Sequence, residues 1–252
     1  MSDATPLAQA TAKACSPNEV NGQNVTPLHV ASATCGTHEQ SVDVVLLLLS
    51  RGGDPNMYDK RGLTPLHMLA AAQLPQEAQP SPLNGGVGNA LANQLKQSSA
   101  QFDRKAGEGN QMTALHIAVE NSNYGFANAL VRNGAALSIP DTVGRCALSM
   151  VVGHAREVNM HRAVLLSCVT KAPFWVPDDA LNNCMECGSE FSFSKRRHHC
   201  RHCGRLVCPS CSPKKSKIEK LGEMKNVRVC HPCLQVLNNP SMVAEVGGGN
   251  AR

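Results

Sequence analysis

Eight of the twelve cysteines in this chain fall as four C-x-x-C pairs, Cys184/Cys187, Cys200/Cys203, Cys208/Cys211 and Cys230/Cys233. Two thiols on one tight turn reach neighbouring corners of a tetrahedron, so four pairs can hold two four-coordinate zinc ions. Two arrangements satisfy the spacing. Consecutive pairs would make two separate beads, whereas joining the first pair to the third and the second to the fourth would tie the segment into one unit. Within the array lies Lys195-Arg196-Arg197-His198-His199-Cys200-Arg201-His202-Cys203-Gly204, which holds four cations, three imidazoles and two thiols in ten residues. A basic run of that density is costly unless an anion meets it.

The charge is unevenly placed. Trp175 to Pro240 carries eleven Lys/Arg against six Asp/Glu, a net +5, and the remainder is balanced at thirteen of each. Eight thiolates and two divalent ions would remove four of those charges and leave about +1. Anion preference must then come from where the arginines sit rather than from bulk charge. The other cysteines, Cys15, Cys35, Cys146 and Cys168, have no partner at ligand spacing and read as small buried apolar residues. The start, Met1 to Pro6, lacks the basic and apolar stretches of a signal peptide, and the longest apolar run, Val44 to Leu49, is too short to span a bilayer. A cytoplasmic setting with reduced thiols is expected. With one Trp, two Tyr and five Phe in 252 residues, no large aromatic core is available, and the length suits two modest domains.

The first part is repetitive. Val25-Thr26-Pro27-Leu28-His29-Val30-Ala31 returns as Leu63-Thr64-Pro65-Leu66-His67-Met68-Leu69-Ala70 and as Met112-Thr113-Ala114-Leu115-His116-Ile117-Ala118, with a decayed copy at Arg145-Cys146-Ala147-Leu148-Ser149-Met150. Thr suits a helix N-cap and Pro the first turn. Second helices are expected over 42–50 and 126–132, each closed by Gly at Arg51-Gly52-Gly53 or Asn133-Gly134. These motifs resemble the ankyrin repeat, which implies an α-helical solenoid over about residues 22–170. The motif leucines, Leu28, Leu66, Leu115 and Leu148, are unevenly spaced, against a repeat of about 33 residues. The excess falls in a Pro/Gly/Gln/Ser-rich stretch, 74–89, that reads as a loop insertion, followed by a degenerate second helix over Leu91 to Gln97. Residues 1–21 read as a flexible N-terminus or partial cap. His29, His67 and His116 sit at one repeat position and are expected to bond within their own units rather than bind metal. Such a stack recognises a protein partner through its concave face and finger loops.

Three further motifs are placed among the eight cysteines: Trp175-Val176-Pro177-Asp178 before the first, Arg196-Arg197-His198-His199-Cys200-Arg201 at the third, and Arg228-Val229-Cys230 at the seventh. Together they resemble the FYVE finger over about residues 173–238, leaving 239–252 as a flexible tail. The resemblance implies a small zinc-stabilised α+β finger with a two-stranded hairpin and a terminal helix. It implies two interleaved zinc sites, Cys184/Cys187 with Cys208/Cys211 and Cys200/Cys203 with Cys230/Cys233. It further implies binding of phosphatidylinositol 3-phosphate on endosomal membranes. In that reading Arg196, Arg197, Arg201 and Arg228 hold the phosphates, and His198, His199 and Asp178 bond the inositol hydroxyls. Trp175 packs beneath the pocket, Phe191 is a core aromatic, and Phe193-Ser194-Lys195 is a loop that dips into the bilayer. The guanidinium fork suits a phosphomonoester better than the point charge of Lys does. His202 has no such role and is expected to face solvent, and Lys214-Lys215-Ser216-Lys217 reads as a solvated loop.

The leading functional reading is therefore a non-enzymatic adaptor that is peripheral on endosomal membranes and recruits an unidentified protein through its repeats. The combination resembles the C-terminal end of rabankyrin-type endosomal proteins. A RING-like ubiquitin ligase also interleaves two zinc sites, but His202 between Cys200 and Cys203 breaks its ligand spacing and the arginines would have no task. A zinc-dependent scaffold for protein or nucleic acid is the remaining alternative; no aromatic base platform accompanies the basic run, so no nucleic acid is expected.

Overall fold

The computed structural model describes residues 16–38, 40–74, 86–107, 109–151 and 154–239. Cys15, most of the 1–21 segment, the centre of the 74–89 insertion and nearly all of the tail lie outside the described residues. The first part is built from helix pairs: α1 (Pro27–Ala33) with α2 (Ser41–Ser50), α3 (Pro65–Ala71) with α4 (Gly86–Gln97), and α5 (Ala114–Glu120) with α6 (Tyr124–Arg132). A 3-10 turn, Ala147–Met150, and α7 (Ala155–Ser167) complete a fourth unit. First helices pack on first helices and second on second along the stack. The motif leucines Leu28, Leu66, Leu115 and Leu148 are all buried between the rows with Val45, Leu91, Leu95, Phe126, Leu130 and Leu165. No helix among the described residues is long and apolar enough to cross a membrane.

Each short first helix is set by its cap. Thr26, Thr64 and Thr113 form capping boxes in which the residue three further on is His29, His67 or His116. The Thr26 amide donates to His29 Nδ1 at 3.1 Å, with equivalent bonds at Thr64 (3.1 Å) and Thr113 (3.2 Å). The imidazoles do more than bond within their units. His29 Nε2 reaches the Leu63 carbonyl (3.1 Å) and His116 Nε2 reaches the Arg145 carbonyl (3.1 Å), each in the following repeat. One ring thus caps a helix and staples the next unit. The fourth copy lacks this device. Cys146 stands where Thr would cap, makes no side-chain cap bond, and Ser149 turns back onto the Cys146 carbonyl at 2.7 Å, so only a 3-10 turn forms. The helix expected to begin at Leu91 starts at Gly86, inside the stretch read as loop, and its Gly88 lies beside Phe126 of α6. Gly52 and Gly134 adopt positive φ after their helices, the left-handed closure that Gly makes without a Cβ penalty.

The finger carries two antiparallel hairpins rather than one. β1 (His198–His199) pairs β2 (Leu206–Val207), and β3 (Lys215–Ile218) pairs β4 (Glu223–Arg228), before the terminal helix α8 (His231–Asn238). The lysine-rich segment read as a loop is mostly strand β3, with Ile218 as its buried residue, held by pairing of Lys215 with Arg228 and Ser216 with Val227. The finger is packed on the last repeat. α7 lies against α8, Lys220 Nζ donates to the Ser167 carbonyl at 3.2 Å, and Ser138 Oγ donates to the Phe174 carbonyl at 2.5 Å. Gly204 marks the tightest approach: its φ is +78° and a Cβ there would fall 2.0 Å from the Phe174 oxygen.

Burial pushes His29, His67 and His116 below the ordinary histidine range. The stability they contribute is therefore complete above about pH 6.5 and is lost as pH falls below it, because the unfolded chain takes up protons first. The expected outcome is a melting temperature that drops between about pH 7.5 and about pH 5.5 more steeply in the wild type than in His29→Gln/His67→Gln/His116→Gln, whose amides cap without titrating. Equal slopes would contradict it.

Candidate functional site

The eight paired cysteines separate into two groups. The sulfur atoms of Cys184, Cys187, Cys208 and Cys211 lie within 4.8 Å of one another, and so do those of Cys200, Cys203, Cys230 and Cys233. The arrangement is the interleaved one. The donor chemistry fits zinc: the Cys208 amide points at Cys184 Sγ and the Cys230 amide at Cys200 Sγ, both at 3.3 Å, as suits thiolate acceptors. Four sulfurs so close need a shared divalent cation to ionise together. In the first group Cys187 is exposed and Cys211 half-buried; in the second all four are buried. Cys187 is drawn down to about 6, first by the Ser189 hydroxyl at 3.1 Å and then by the Ser189 amide. Cys35, Cys146 and Cys168 are buried and belong to neither group.

The second group positions the arginines. Cys200 and Cys230 share it although thirty residues separate them, so β4 is drawn against the turn after β1 and the Arg201 amide donates to the Arg228 carbonyl at 2.9 Å. Beside them His198 is pushed below its ordinary range, first by burial and then by the guanidiniums of Arg228, Arg196 and Arg201. Three cations from two segments thus bear on one imidazole. Arg228 is half-buried and braced by the Ser212 carbonyl at 2.5 Å. Arg197 is turned toward the segments flanking the first cysteine pair, with its guanidinium 5.0 Å from the Phe191 ring and 3.3 Å from Asn182 Oδ1.

Trp175 forms the flank of this group rather than its floor. It is 47% exposed, stacks on His199 with centroids 5.1 Å apart, and carries the Arg201 guanidinium 4.0 Å above its ring. His199 Nε2 donates to the Val176 carbonyl at 2.6 Å, with Asp178 Oδ1 3.7 Å from the same nitrogen. This fastens the first motif to β1 while leaving the Asp178 carboxylate in solvent. Phe191 is buried, whereas Phe193 is 92% exposed. The Ser192 amide donates to the Lys195 carbonyl and the Lys195 amide donates to Ser192 Oγ, closing Phe193, Ser194 and Lys195 into a tight exposed turn. The Arg196 guanidinium lies 5.8 Å from the Phe193 ring, so the cationic group adjoins the apolar tip.

His202 does not face solvent. It is fully buried, neither ring nitrogen has a hydrogen-bond partner, and burial followed by Lys220 pushes it down to about 4. It lines a cavity of about 260 Å³ with Phe174, Pro173, Val131 and Leu137. The repeat stack covers this side of the finger, which a reading of the finger alone could not anticipate. Arg205, just after the run, carries no spacing that marks it in the sequence, yet it is the largest fully buried side chain among the described residues.

A family model for the FYVE zinc finger matches residues 174–239, and one for the ankyrin repeat matches 23–60 and 110–142. The chain is 32% identical to mouse (Mus musculus) Rabankyrin-5 over 202 residues, which is 79% of this chain and 16% of that protein. The corresponding human (Homo sapiens) protein is 30% identical over 200 residues, with the same coverage. The chain thus spans about a sixth of the length of these relatives. Human Zinc finger FYVE domain-containing protein 9 is 50% identical over 68 residues, 27% of this chain and 5% of that one. Among solved structures, the LM5-1 FYVE domain of Leishmania major is 36% identical, covering 26% of this chain and 79% of that one, with a TM-score of 0.25.

Native mass spectrometry is expected to find two zinc ions per chain, and one in Cys200→Ser/Cys230→Ser, where only the first group of four remains intact. Two ions retained in the double variant would contradict the partition.

Proposed function

We propose that this chain, an ankyrin-repeat protein with a C-terminal FYVE zinc finger, is a non-enzymatic adaptor that docks on phosphatidylinositol 3-phosphate membranes and recruits a protein partner. Both parts are binding modules, and the kinship with Rabankyrin-5 and with FYVE-containing proteins supports an endosomal role as a peripheral membrane protein. The observation that carries the lipid reading is the adjacency of the Arg196 guanidinium and the exposed Phe193 ring. A free phosphate needs only the cations. A headgroup embedded in a bilayer needs cations and an apolar tip side by side.

In this proposal Arg196, Arg201 and Arg228 neutralise the phosphates around His198, and Arg197 swings from Asn182 to complete the set. His198 and His199 bond the ring hydroxyls. Asp178, exposed beside His199, repels further phosphates. Burying the Phe193 side chain contributes about 1.5–3 kcal/mol, and Lys195 adds about 1 kcal/mol near an anionic surface. One apolar residue and a few charges give reversible attachment, since stable anchoring takes more than one signal. The partner site is proposed on the first-helix face of the repeats. There Val30, Met68 and Ile117 follow the capping histidines in three neighbouring helices and remain exposed or half-exposed.

Removing one charge-assisted phosphate contact costs about 1.5–3 kcal/mol, or roughly 10- to 100-fold in affinity. Arg228→Ala is expected to lose that much in co-sedimentation with vesicles bearing phosphatidylinositol 3-phosphate, while Phe193→Ser weakens vesicle binding and leaves affinity for a soluble short-chain lipid unchanged. Equal binding of wild type and Arg228→Ala, or indifference to the 3-phosphate, would remove the proposal.

A further inference from the structure

The two zinc sites stand in different electrical surroundings. Four thiolates and one zinc ion leave two net negative charges. At Cys184, Cys187, Cys208 and Cys211 the exposure of Cys187 lets water screen that charge. At Cys200, Cys203, Cys230 and Cys233 all four sulfurs are buried, and an uncompensated charge there is expensive.

Arg205 supplies the compensation. It is 0% exposed, and its donors are committed on three sides. Nε points at Cys203 Sγ and Nη2 at Cys230 Sγ, each at 3.5 Å. Nη1 bonds the Met185 carbonyl at 3.3 Å and Glu186 Oε2 at 2.7 Å. Glu186 sits between the first two zinc ligands, Cys184 and Cys187, and the same Oε2 accepts from Arg162 of α7 at 2.8 Å. A continuous chain of contacts therefore runs from the deeper thiolates through Arg205 and Glu186 to the last repeat helix.

We propose that Arg205 is the internal counter-cation of the deeper zinc site and that, through Glu186 and Arg162, it locks this site to α7. The repeat stack is then held at one angle to the lipid-facing loop for as long as the deeper site is loaded. Arg205 is a positioning residue: it touches the metal-binding sulfurs and the repeat anchor, and no lipid. The lock lies outside the headgroup pocket and stands whether or not the lipid reading does.

The test uses the full zinc-loaded chain. Protein is mixed with a chelator and an alkylating agent, and modification of each cysteine is followed by mass spectrometry alongside hydrogen exchange of residues 155–167. In the wild type, alkylation of Cys184, Cys187, Cys208 and Cys211 is expected to precede that of the deeper four, with α7 protected until the deeper site empties. Arg205→Met, which keeps length without charge, is expected to speed alkylation of the deeper four by roughly 10- to 100-fold, the usual range for groups supporting metal ligands. Arg205→Lys should restore part of the delay, which a packing role alone would not. Arg162→Ala should keep wild-type alkylation while α7 exchanges freely with both ions bound. Unchanged alkylation of the deeper four in Arg205→Met, or wild-type α7 protection in Arg162→Ala, overturns the proposal. If Arg205→Met does not fold, the Arg162→Ala comparison decides alone.

Discussion

The interleaving of thiol pairs is the constraint on which the finger depends. Its strands are two to six residues long, and hairpins of that size are marginal by themselves. Joining Cys200/Cys203 to Cys230/Cys233 brings together segments remote in sequence without a large apolar core. The consequence is electrostatic as much as structural. Arg228 would otherwise repel Arg196 and Arg201, and the shared metal site holds it beside them. A cluster of guanidiniums kept together in this way is a standing demand for an anion, and the bond of Arg228 to the Ser212 carbonyl and the seat of Arg201 on the Trp175 ring aim it before any ligand arrives.

The junction extends that logic into the repeats. His202 and Gly204 close the basic run and Arg205 follows it, yet none of the three faces water. His202 lines the cavity beneath the linker, Gly204 admits the Phe174 carbonyl where any side chain would collide, and Arg205 threads between the thiolates and Glu186. The last repeat, whose first helix is reduced to a 3-10 turn for want of a Thr–His cap, closes its open end on the finger instead of on solvent. The start of the run is turned outward and its end inward, against the neighbouring domain.

Much of this was legible in the residues because spacing and chemistry coincided. Four C-x-x-C pairs implied two tetrahedral sites, and the Thr-Pro-Leu-His copies implied the helix pairs and their buried leucines. Phe191 as a buried core aromatic followed from the resemblance to the FYVE finger. What stayed hidden depended on contacts between distant segments. The capping histidines were expected to serve their own units, and the carbonyl that each of His29 and His116 reaches in the next repeat has no sequence mark. Lys214 to Lys217 carries the polarity of a loop, and only pairing with β4 makes most of it a strand. His202 and Arg205 look like surface residues by type; the repeat stack buries the first and the thiolate charge draws in the second.

The central claim is that a metal-imposed juxtaposition of Arg228 with Arg196 and Arg201 recognises an inositol phosphate. It is tested most directly by following the arginine side-chain resonances of the zinc-loaded protein as soluble short-chain phosphatidylinositol 3-phosphate is added. The expected result is that the Arg196, Arg197, Arg201 and Arg228 guanidinium signals move together and saturate at one ratio, and that unphosphorylated phosphatidylinositol leaves them in place. Shifts confined to the lysines of β3, or equal shifts with both lipids, would contradict it.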